Sequence, residues 1–192
     1  MSSTPTSPRD RLIELIAELA VVPGQVTLSS GRTADYYVDM RRATLHHEAA
    51  PLIGHLLLDL LEEAGMGVAE VDAVGGLTMG ADPVVSAVQH AAASRGLDLD
   101  AFLVRKESKG HGMRRQVEGP DIDGRRVVIL EDTSTTGNSP LRAAEVASDH
   151  GAQVVGIATI VDRDTGARQA IEKAGWPYVW LLSAADLGLG AG

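Results

Sequence analysis

With 192 residues, 44% of them hydrophobic, the chain is long enough to bury one sizeable core and short for two, so we expect a single domain. Its net charge of −9 argues against general binding to nucleic acid, because phosphate backbones attract surfaces with excess Lys and Arg. The chain has no cysteine for a disulfide or a thiolate metal site, and no apolar run approaches the roughly 18 to 20 residues that cross a bilayer. We therefore expect a cytoplasmic protein that binds neither nucleic acid nor membrane.

The chain begins with a polar segment. Residues 1–8 carry two prolines and have neither the basic end nor the apolar stretch of a signal peptide, so we expect a disordered tail. The domain is then expected to span 9–192, with a small N-terminal hood over about 9–70 and a core over about 71–192. The elements predicted for the hood are a helix starting at Ser7, Pro8 and Asp10, short strands near Val26 and Tyr37, and a helix from about His47 to Ala64.

Strand-type and helix-type patterns alternate through the core. The predicted segments are a strand Val71–Gly75, a turn Gly75–Gly80, a helix from about Pro83 to Arg95, strands Ala101–Arg105 and Arg126–Leu130, a turn through Ser139, a helix to about His150 and a strand Gln153–Val161. The last strand is nearly continuous in apolar residues, as expected when both faces of a sheet are covered. This order predicts an α/β fold with a mostly parallel central sheet flanked by helices.

One basic segment stands out from the acidic chain. Residues 105–115, read as RKESKGHGMRR, hold five of the 17 Lys and Arg residues against one acid, Glu107, a local balance of 5 − 1 = +4. The remainder has 12 bases and 25 acids. A concentrated cationic loop on an acidic protein favours a small polyanionic ligand over a long one, and a solvated basic loop is the alternative.

A second segment, VVILEDTSTTGNS at residues 127–139, combines an apolar strand, two acids and a polar turn. Glu131 and Asp132 follow the strand and should face a cleft, because burying an unpaired carboxylate is costly. Small side chains, hydroxyl groups and free backbone N–H groups then precede a helix, which suits a phosphate monoester. The alternative is an ordinary strand-to-helix turn with a Thr-rich cap. No GxxxxGK[ST] pattern for a nucleoside triphosphate occurs in the chain.

This second segment resembles the phosphoribosyl diphosphate (PRPP) signature of the type I phosphoribosyltransferases. The resemblance implies that Glu131 and Asp132 hold the ribose 2- and 3-hydroxyls. It also implies that the following turn holds the 5-phosphate, through Thr133, Ser134, Thr135, Thr136, Gly137, Asn138 and Ser139. A general acid and base pair is another interpretation of the two carboxylates, but it does not explain the adjacent phosphate turn.

Within that family the chain is most similar to the orotate-specific members, from about Arg9 to Leu187, through TLSSGRTADYYVD, VRKESKGHG, VEG and VDR. By this resemblance Arg105, Lys106, Lys109 and His111 contact the diphosphate of PRPP, and Lys106, Lys109, His111 and Asp132 are the candidate catalytic residues. Arg163 would bind the orotate carboxylate, with Thr135 beside the same base. An ordinary strand-end pair between Asp162 and Arg163 is the alternative. Tyr36 and Tyr37 lie in the stretch that walls the pyrimidine, although tyrosines at strand spacing are more often core residues.

The resemblance further implies that magnesium enters with PRPP, held mainly by substrate oxygens and not directly by the protein. It implies a homodimer in which the basic loop of one subunit covers the site of the other. Two family lysines are missing, because Ser29 stands in the early motif and Thr78 and Met79 stand where many relatives have Tyr-Lys. A phosphoribosyltransferase for another base, or a PRPP-sensing regulator that binds RNA, remain the alternative functions.

Overall fold

The computed structural model describes residues 6–27, 33–107 and 116–189. Their main feature is a six-stranded sheet in which all the pairs are parallel except the one that adds the short edge strand β5. The strands, in spatial order, are β5 (Val117–Glu118), β4 (Asp100–Val104), β3 (Ala73–Leu77), β6 (Arg126–Ser134), β7 (Gln153–Asp162) and β8 (Tyr178–Ser183). The expected mostly parallel α/β sheet is confirmed.

Helices cover both faces of this sheet. They are α1 (Pro8–Leu19), α2 (Arg41–Thr44), α3 (Ala49–Glu63), α4 (Ala81–Ser94), α5 (Asn138–Asp149) and α6 (Ala167–Lys173), followed by a 3-10 turn at Ala185–Leu187. Apolar residues of α1, α3 and α4 pack on one face, and those of α5 and α6 pack on the other. Strand β6 contributes side chains to both faces. Val128 and Leu130 pack with α1, α3 and α4, while Val127 and Ile129 pack with α5 and α6.

A separate antiparallel pair lies in the N-terminal region, formed by β1 (Val21–Thr27) and β2 (Thr33–Val38). Helix α1 begins where its sequence signals predicted, because Ser7 accepts a hydrogen bond from the Asp10 backbone N–H at 3.1 Å and Pro8 occupies the first helical position. Residue 8 is thus helical and not part of a tail. The expectation of disorder for residues 1–5 lies outside the described residues.

Several element boundaries differ from the sequence prediction. Strand β3 lies two residues further along the chain than expected, and β6 continues four residues beyond Leu130. The extension of β6 has a clear cause, because its last residues keep pairing with β7 through Thr133–Val161 and Ser134–Asp162. The sequence analysis also missed α2, β5, α6 and β8, of which the first three are too short to show a full apolar period.

The order in which the chain adds strands to the sheet reverses between the neighbouring parallel strands β3 and β6. From β3 the chain passes through α4 to β4 on one side, whereas from β6 it passes through α5 to β7 on the other side. The helices that follow β3 and β6 therefore leave on opposite faces, which opens a crevice at the carboxyl ends of these two strands. Among the described residues, no helix has the length and apolar character needed to cross a membrane.

Candidate active site

The turn after β3 and the end of β6 meet in the crevice between these strands. Gly80, which precedes α4, lies so close to the acid pair that a Cβ atom there would be 2.8 Å from Oε1 of Glu131 and 3.1 Å from Oδ1 of Asp132. A contact under 3.0 Å would force a carboxylate to move. Glycine at this position therefore allows the backbone to touch both acids.

The two acids are more buried than the sequence analysis predicted. Glu131 is only 4% exposed, while Asp132 is partly buried and lines a cavity of about 290 Å³. Glu131 lies beside Gly80 at this crevice but is almost fully buried, because β6 continues to Ser134 and carries the Glu131 side chain within the sheet. Only Asp132 meets the cavity as expected.

Burial controls the ionisation of this pair. The loss of water around Glu131, together with the negative charge of Asp132, raises the pKa of the Glu131 carboxyl well above its usual range. Burial also raises the pKa of Asp132, although the positive charge of Arg41 acts in the opposite direction. Two backbone N–H groups partly stabilise the carboxylates: Asp132 N–H donates to Oε1 of Glu131 at 3.2 Å, and Thr133 N–H donates to Oδ1 of Asp132 at 2.6 Å.

The segment expected to hold a phosphate divides between the strand and the turn. Thr133 and Ser134 are the last residues of β6, and their hydroxyl oxygens are buried without a hydrogen-bond partner within the described part of the chain. The other five residues form the turn and the start of α5, with Thr135, Thr136, Asn138 and Ser139 exposed and Gly137 buried. Hydroxyl donors are thus available both at the end of β6 and in the turn that follows it.

Gly137 shapes the start of α5. Its φ of +79° is a left-handed conformation that glycine adopts at little cost, and no side chain of the described residues caps the helix there. The first N–H groups of a helix have no partner inside the helix, so this 12-residue helix presents a positive end and free donors beside the turn. This arrangement suits a phosphate group.

Arg163 lies directly after β7 and joins the core to the N-terminal strand pair. It is 8% exposed, its backbone N–H donates to the Ser134 carbonyl at 3.0 Å, and its guanidinium lies 5.2 Å from the centre of the Tyr36 ring. Nη2 of Arg163 also donates a long hydrogen bond to the Tyr36 hydroxyl at 3.4 Å. The alternative of a pair with Asp162 finds no support within the described residues, where Oδ1 of Asp162 instead accepts from the Asp164 N–H at 2.8 Å.

The start of the basic segment follows β4 at the same edge of the sheet. Arg105 and Lys106 line a cavity of about 680 Å³ together with Thr78 and Met79, and Lys106 also lines the 290 Å³ cavity that contains Asp132. Nη1 of Arg105 pairs with Oε1 of Glu118 at 3.3 Å. Lys109 and His111, predicted to contact the diphosphate, lie outside the described residues.

Sequence reasoning missed two residues beside this crevice. Arg41, at the start of α2, lines the cavity that contains Asp132 and Lys106. Arg142 on α5 donates from Nη2 to the Lys106 carbonyl at 2.7 Å and so fixes the backbone at the start of the basic segment. Gly80 belongs to the predicted turn Gly75–Gly80, and the structure adds that it lies beside the acid pair. The Arg-Arg pair immediately after a predicted strand was the available signal for Arg41, whereas Arg142 looked like any exposed helical cation.

The acid pair offers oxygen ligands of the kind that magnesium prefers. Oε2 of Glu131 is buried and has no hydrogen-bond partner in the described part of the chain. Carboxylate oxygens suit Mg²⁺, which usually keeps several non-protein ligands such as water and substrate phosphates. Across residues 6–27, 33–107 and 116–189, no group of three or more His, Cys, Asp and Glu side chains forms a metal cluster. The residues present thus fit a magnesium ion that a phosphorylated ligand would carry.

The comparisons with known proteins agree with this site. The family model for the phosphoribosyl transferase domain matches residues 44–176, a span that contains the acid pair, the phosphate turn and Arg163. The chain therefore belongs to the phosphoribosyltransferases.

Similar known proteins show which group of phosphoribosyltransferases the chain belongs to. The chain is 58% identical to the orotate phosphoribosyltransferase of Streptomyces coelicolor over 96% of its own length and 99% of the relative's. A crystal structure of the Mycobacterium tuberculosis orotate phosphoribosyltransferase with Fe(III) dicitrate has a TM-score of 0.84 and 54% identity, covering 95% of this chain and 100% of that one. A PRPP complex of the same mycobacterial enzyme has a TM-score of 0.81 and 50% identity, covering 95% and 100%. The protein thus belongs to the orotate phosphoribosyltransferase family.

Proposed function

We propose that this enzyme transfers the 5-phosphoribosyl group of PRPP to orotate, giving orotidine 5-phosphate and diphosphate in the synthesis of UMP. The observation that carries the choice of orotate is the buried Arg163 guanidinium, stacked on Tyr36 and attached through its backbone to the last residue of β6. A guanidinium binds a planar carboxylate through paired hydrogen bonds, and orotate carries such a carboxylate. Adenine, hypoxanthine and uracil have none.

The ribose and its 5-phosphate are assigned to β6 and the turn that follows it. Glu131 and Asp132 accept hydrogen bonds from the ribose 2- and 3-hydroxyls. The 5-phosphate is bound by Thr133, Ser134, Thr135, Thr136, Gly137, Asn138 and Ser139. The free N–H groups at the start of α5 and the unpartnered hydroxyls of Thr133 and Ser134 support this assignment. Thr135 also lies beside the base, where its carbonyl accepts from the Thr165 hydroxyl at 2.8 Å.

The chemistry needs no nucleophilic side chain. The ring nitrogen of orotate gives up its proton to water or diphosphate and forms the new bond to C1 of the ribose while the C1–O bond breaks, and the electron pair of that bond leaves with the diphosphate. Inversion at C1 follows from attack on the face opposite the leaving group. Arg105, Lys106, Lys109 and His111 stabilise the charge that develops on the diphosphate, with Lys106 as the main contributor. Its place beside Asp132 in the smaller cavity supports this role.

Magnesium is proposed to enter with PRPP and to neutralise part of the charge of the leaving group. The ion would be held mainly by oxygens of PRPP, and not directly by the Glu131 and Asp132 carboxylates. Their own part in the reaction is to orient the ribose, so that C1 is presented to the orotate nitrogen in a fixed geometry. The enzyme is proposed to act in the cytoplasm.

A homodimer is also proposed, in which each active site contains residues of both subunits. Lys106 is assigned to the site of its own subunit. Lys106 lines the same cavity as Asp132 of its own chain, which supports action within one subunit, whereas Lys109 and His111 are proposed to act on the partner's site. Mixed dimers test this division. Lys109→Ala subunits mixed with Asp132→Asn subunits should regain activity, and Lys106→Ala subunits mixed with Asp132→Asn subunits should not. Recovery in both mixtures, or in neither, contradicts the division.

An ultraviolet assay of base consumption tests the proposed reaction. Purified protein with PRPP and magnesium should consume orotate and leave adenine, hypoxanthine and uracil unchanged. Arg163→Ala should raise the KM for orotate by roughly 10²-fold, as expected when a charge-assisted pair is removed. Turnover of a purine without turnover of orotate would reverse the assignment. Salt-dependent RNA binding without any turnover would favour a regulator.

A further inference from the structure

The cavity beside the acid pair is lined by a cation from outside the basic segment, Arg41. We propose that Arg41 binds the diphosphate group of PRPP, and of the diphosphate product, from the side of the N-terminal strand pair. This inference rests on the proposed function, which supplies the diphosphate. It adds a binding residue for that reaction outside the basic segment 105–115.

The backbone around Arg41 is held firmly in place. Strand β2 ends at Val38, the next N–H, of Asp39, donates to the Ala20 carbonyl at 2.9 Å, and Met40 is buried in the core. Arg41 then begins the short helix α2. Because the residues on both sides are fixed, Arg41 is presented at the cavity without a large loss of backbone entropy on ligand binding.

The guanidinium of Arg41 is only partly used in the free protein. Its Nε donates to Oδ1 of Asp39 at 2.8 Å, and Asp39 also accepts a hydrogen bond from the Arg41 backbone N–H at 3.3 Å. No other side-chain partner of Arg41 occurs within the described residues, and its side chain is 47% exposed. Both terminal NH₂ groups thus remain available, and a guanidinium with two free amino groups suits the oxygens of a phosphate group.

Both signs of charge line this cavity, because Asp39 and Asp132 face it together with Arg41 and Lys106. The same 290 Å³ space is lined by Lys106, Asp132 and Thr133, and by Met79 and Gly80 from the turn after β3. Met79 brings no charge, so within the described residues Arg41 and Lys106 are the two cations that line it. Arg41 also acts on the carboxyl of Asp132. Burial raises the pKa of Asp132, and the positive charge of Arg41 lowers it by a smaller amount, in agreement with their proximity.

A purely structural role is the competing explanation. Arg41 and Asp39 form an exposed pair two residues apart, and pairs of this kind contribute little to folding. In that case removal of the side chain would change the melting temperature slightly and leave the affinities for both substrates unchanged. Binding of diphosphate predicts the opposite pattern.

The reverse reaction separates these roles, because its substrates are orotidine 5-phosphate and diphosphate. Arg41→Ala should raise the KM for diphosphate, and the KM for PRPP in the forward direction, by about 10-fold or more, the loss expected for one charge-assisted contact. The KM values for orotate and orotidine 5-phosphate should change little. Arg41→Lys should recover part of the loss. The neighbouring exposed cation gives the matched control, and Arg42→Ala should match the wild type.

Calorimetric titration with magnesium diphosphate, together with thermal unfolding, completes the test. Weaker diphosphate binding by Arg41→Ala at an unchanged melting temperature supports the inference. Equal diphosphate affinities for Arg41→Ala and Arg42→Ala overturn it. A wild-type enzyme that turns over orotate while Arg41→Ala keeps its KM for PRPP contradicts only this inference. A wild-type protein that neither binds PRPP nor consumes orotate contradicts the proposed function itself.

Discussion

The acid pair on β6 and the cations that line the cavity beside it lie at the same edge of the sheet in opposite environments. Glu131 is 4% exposed and lies beside Gly80, whereas the side chain of Arg41, which lines that cavity, is 47% exposed and pairs with Asp39. The side chain of Arg105, which lines the 680 Å³ cavity, is 43% exposed and pairs with Glu118. The acids are fixed before any ligand binds. The cations remain partly open to solvent, so a ligand can reach them.

This difference follows from what each group must do. Ribose hydroxyls are neutral and weakly bound, so the carboxylates that hold them must already be in position, even though burial raises their pKa values. A diphosphate carries several charges and can compensate for the desolvation of Lys and Arg when it binds. Removing an acid should therefore damage positioning, and removing a cation should damage charge stabilisation.

The largest expected effect belongs to the acid that lines the cavity. Asp132→Asn should lower kcat/KM by roughly 10³-fold, equivalent to about 4 kcal/mol, because the amide cannot accept a hydrogen bond with full charge at a fixed position. Steady-state kinetics with PRPP as the varied substrate measures the change. The exposed Asp98, at the other edge of the sheet, provides the control Asp98→Asn. Equal activities of the two variants would remove the acid pair from the mechanism.

Loss of the cation beside Asp132 should have a somewhat smaller effect. Lys106→Ala should lower kcat by roughly 10²-fold, comparable to the loss of one preorganised contact of about 3 kcal/mol. Rapid-quench measurement of a single turnover separates this effect from product release. Lys173→Ala, at the exposed end of α6, serves as the matched control. An unchanged kcat for Lys106→Ala would assign charge stabilisation to other groups.

A substitution at Gly80 can move the two acids without changing their charge. In Gly80→Ala the added methyl would lie 2.8 Å from Oε1 of Glu131, so the carboxylate must shift. We expect the KM for PRPP to rise by roughly 10-fold, since misplaced groups lose binding energy even when they are still present. The melting temperature shows whether the fold is intact. A fully active variant would mean that the acid pair tolerates displacement.

The smallest effect concerns stability and its dependence on pH. The pKa of Glu131 is raised in the folded protein, so this group contributes stability at low pH that is lost as pH rises through the folded pKa. Relative to the wild type, Glu131→Gln should gain free energy of unfolding as pH increases above about 4.5, the usual value for the group. Urea unfolding between pH 5 and pH 9 measures this difference in free energy of unfolding, which should amount to about 1 kcal/mol for each unit by which the pKa is raised.

The control for this comparison is Glu145→Gln, an exposed residue of α5. The difference in free energy of unfolding between Glu145→Gln and the wild type should not increase with pH. A Glu131→Gln variant that becomes less stable than the wild type as pH rises would show that the ionised carboxylate is stabilised by the fold, contrary to the effect of burial.

Local sequence signals predicted most of the fold but not the ends of its strands. The apolar periods and the cap at Ser7 predicted the long helices, and the alternation of strands and helices predicted a mostly parallel sheet. The end of β6 was wrong, because pairing with β7 extends a strand through Glu131 and Asp132, whose side chains alone favour a turn. Tertiary pairing overrode local propensity at this point.

By itself, the sequence predicted the donor side of the site, since the acids and the phosphate turn follow one another in the chain and the basic segment is a single continuous run. The tertiary structure decided which distant residues meet them. Arg163 lies 127 positions from Tyr36, and the turn that holds Gly80 comes from a different strand than the acids it touches. Arg41, likewise, reaches the cavity only because the N-terminal strands end beside it. Periodicity and motif spacing report on neighbours along the chain, and these contacts depend on how the sheet orders its strands.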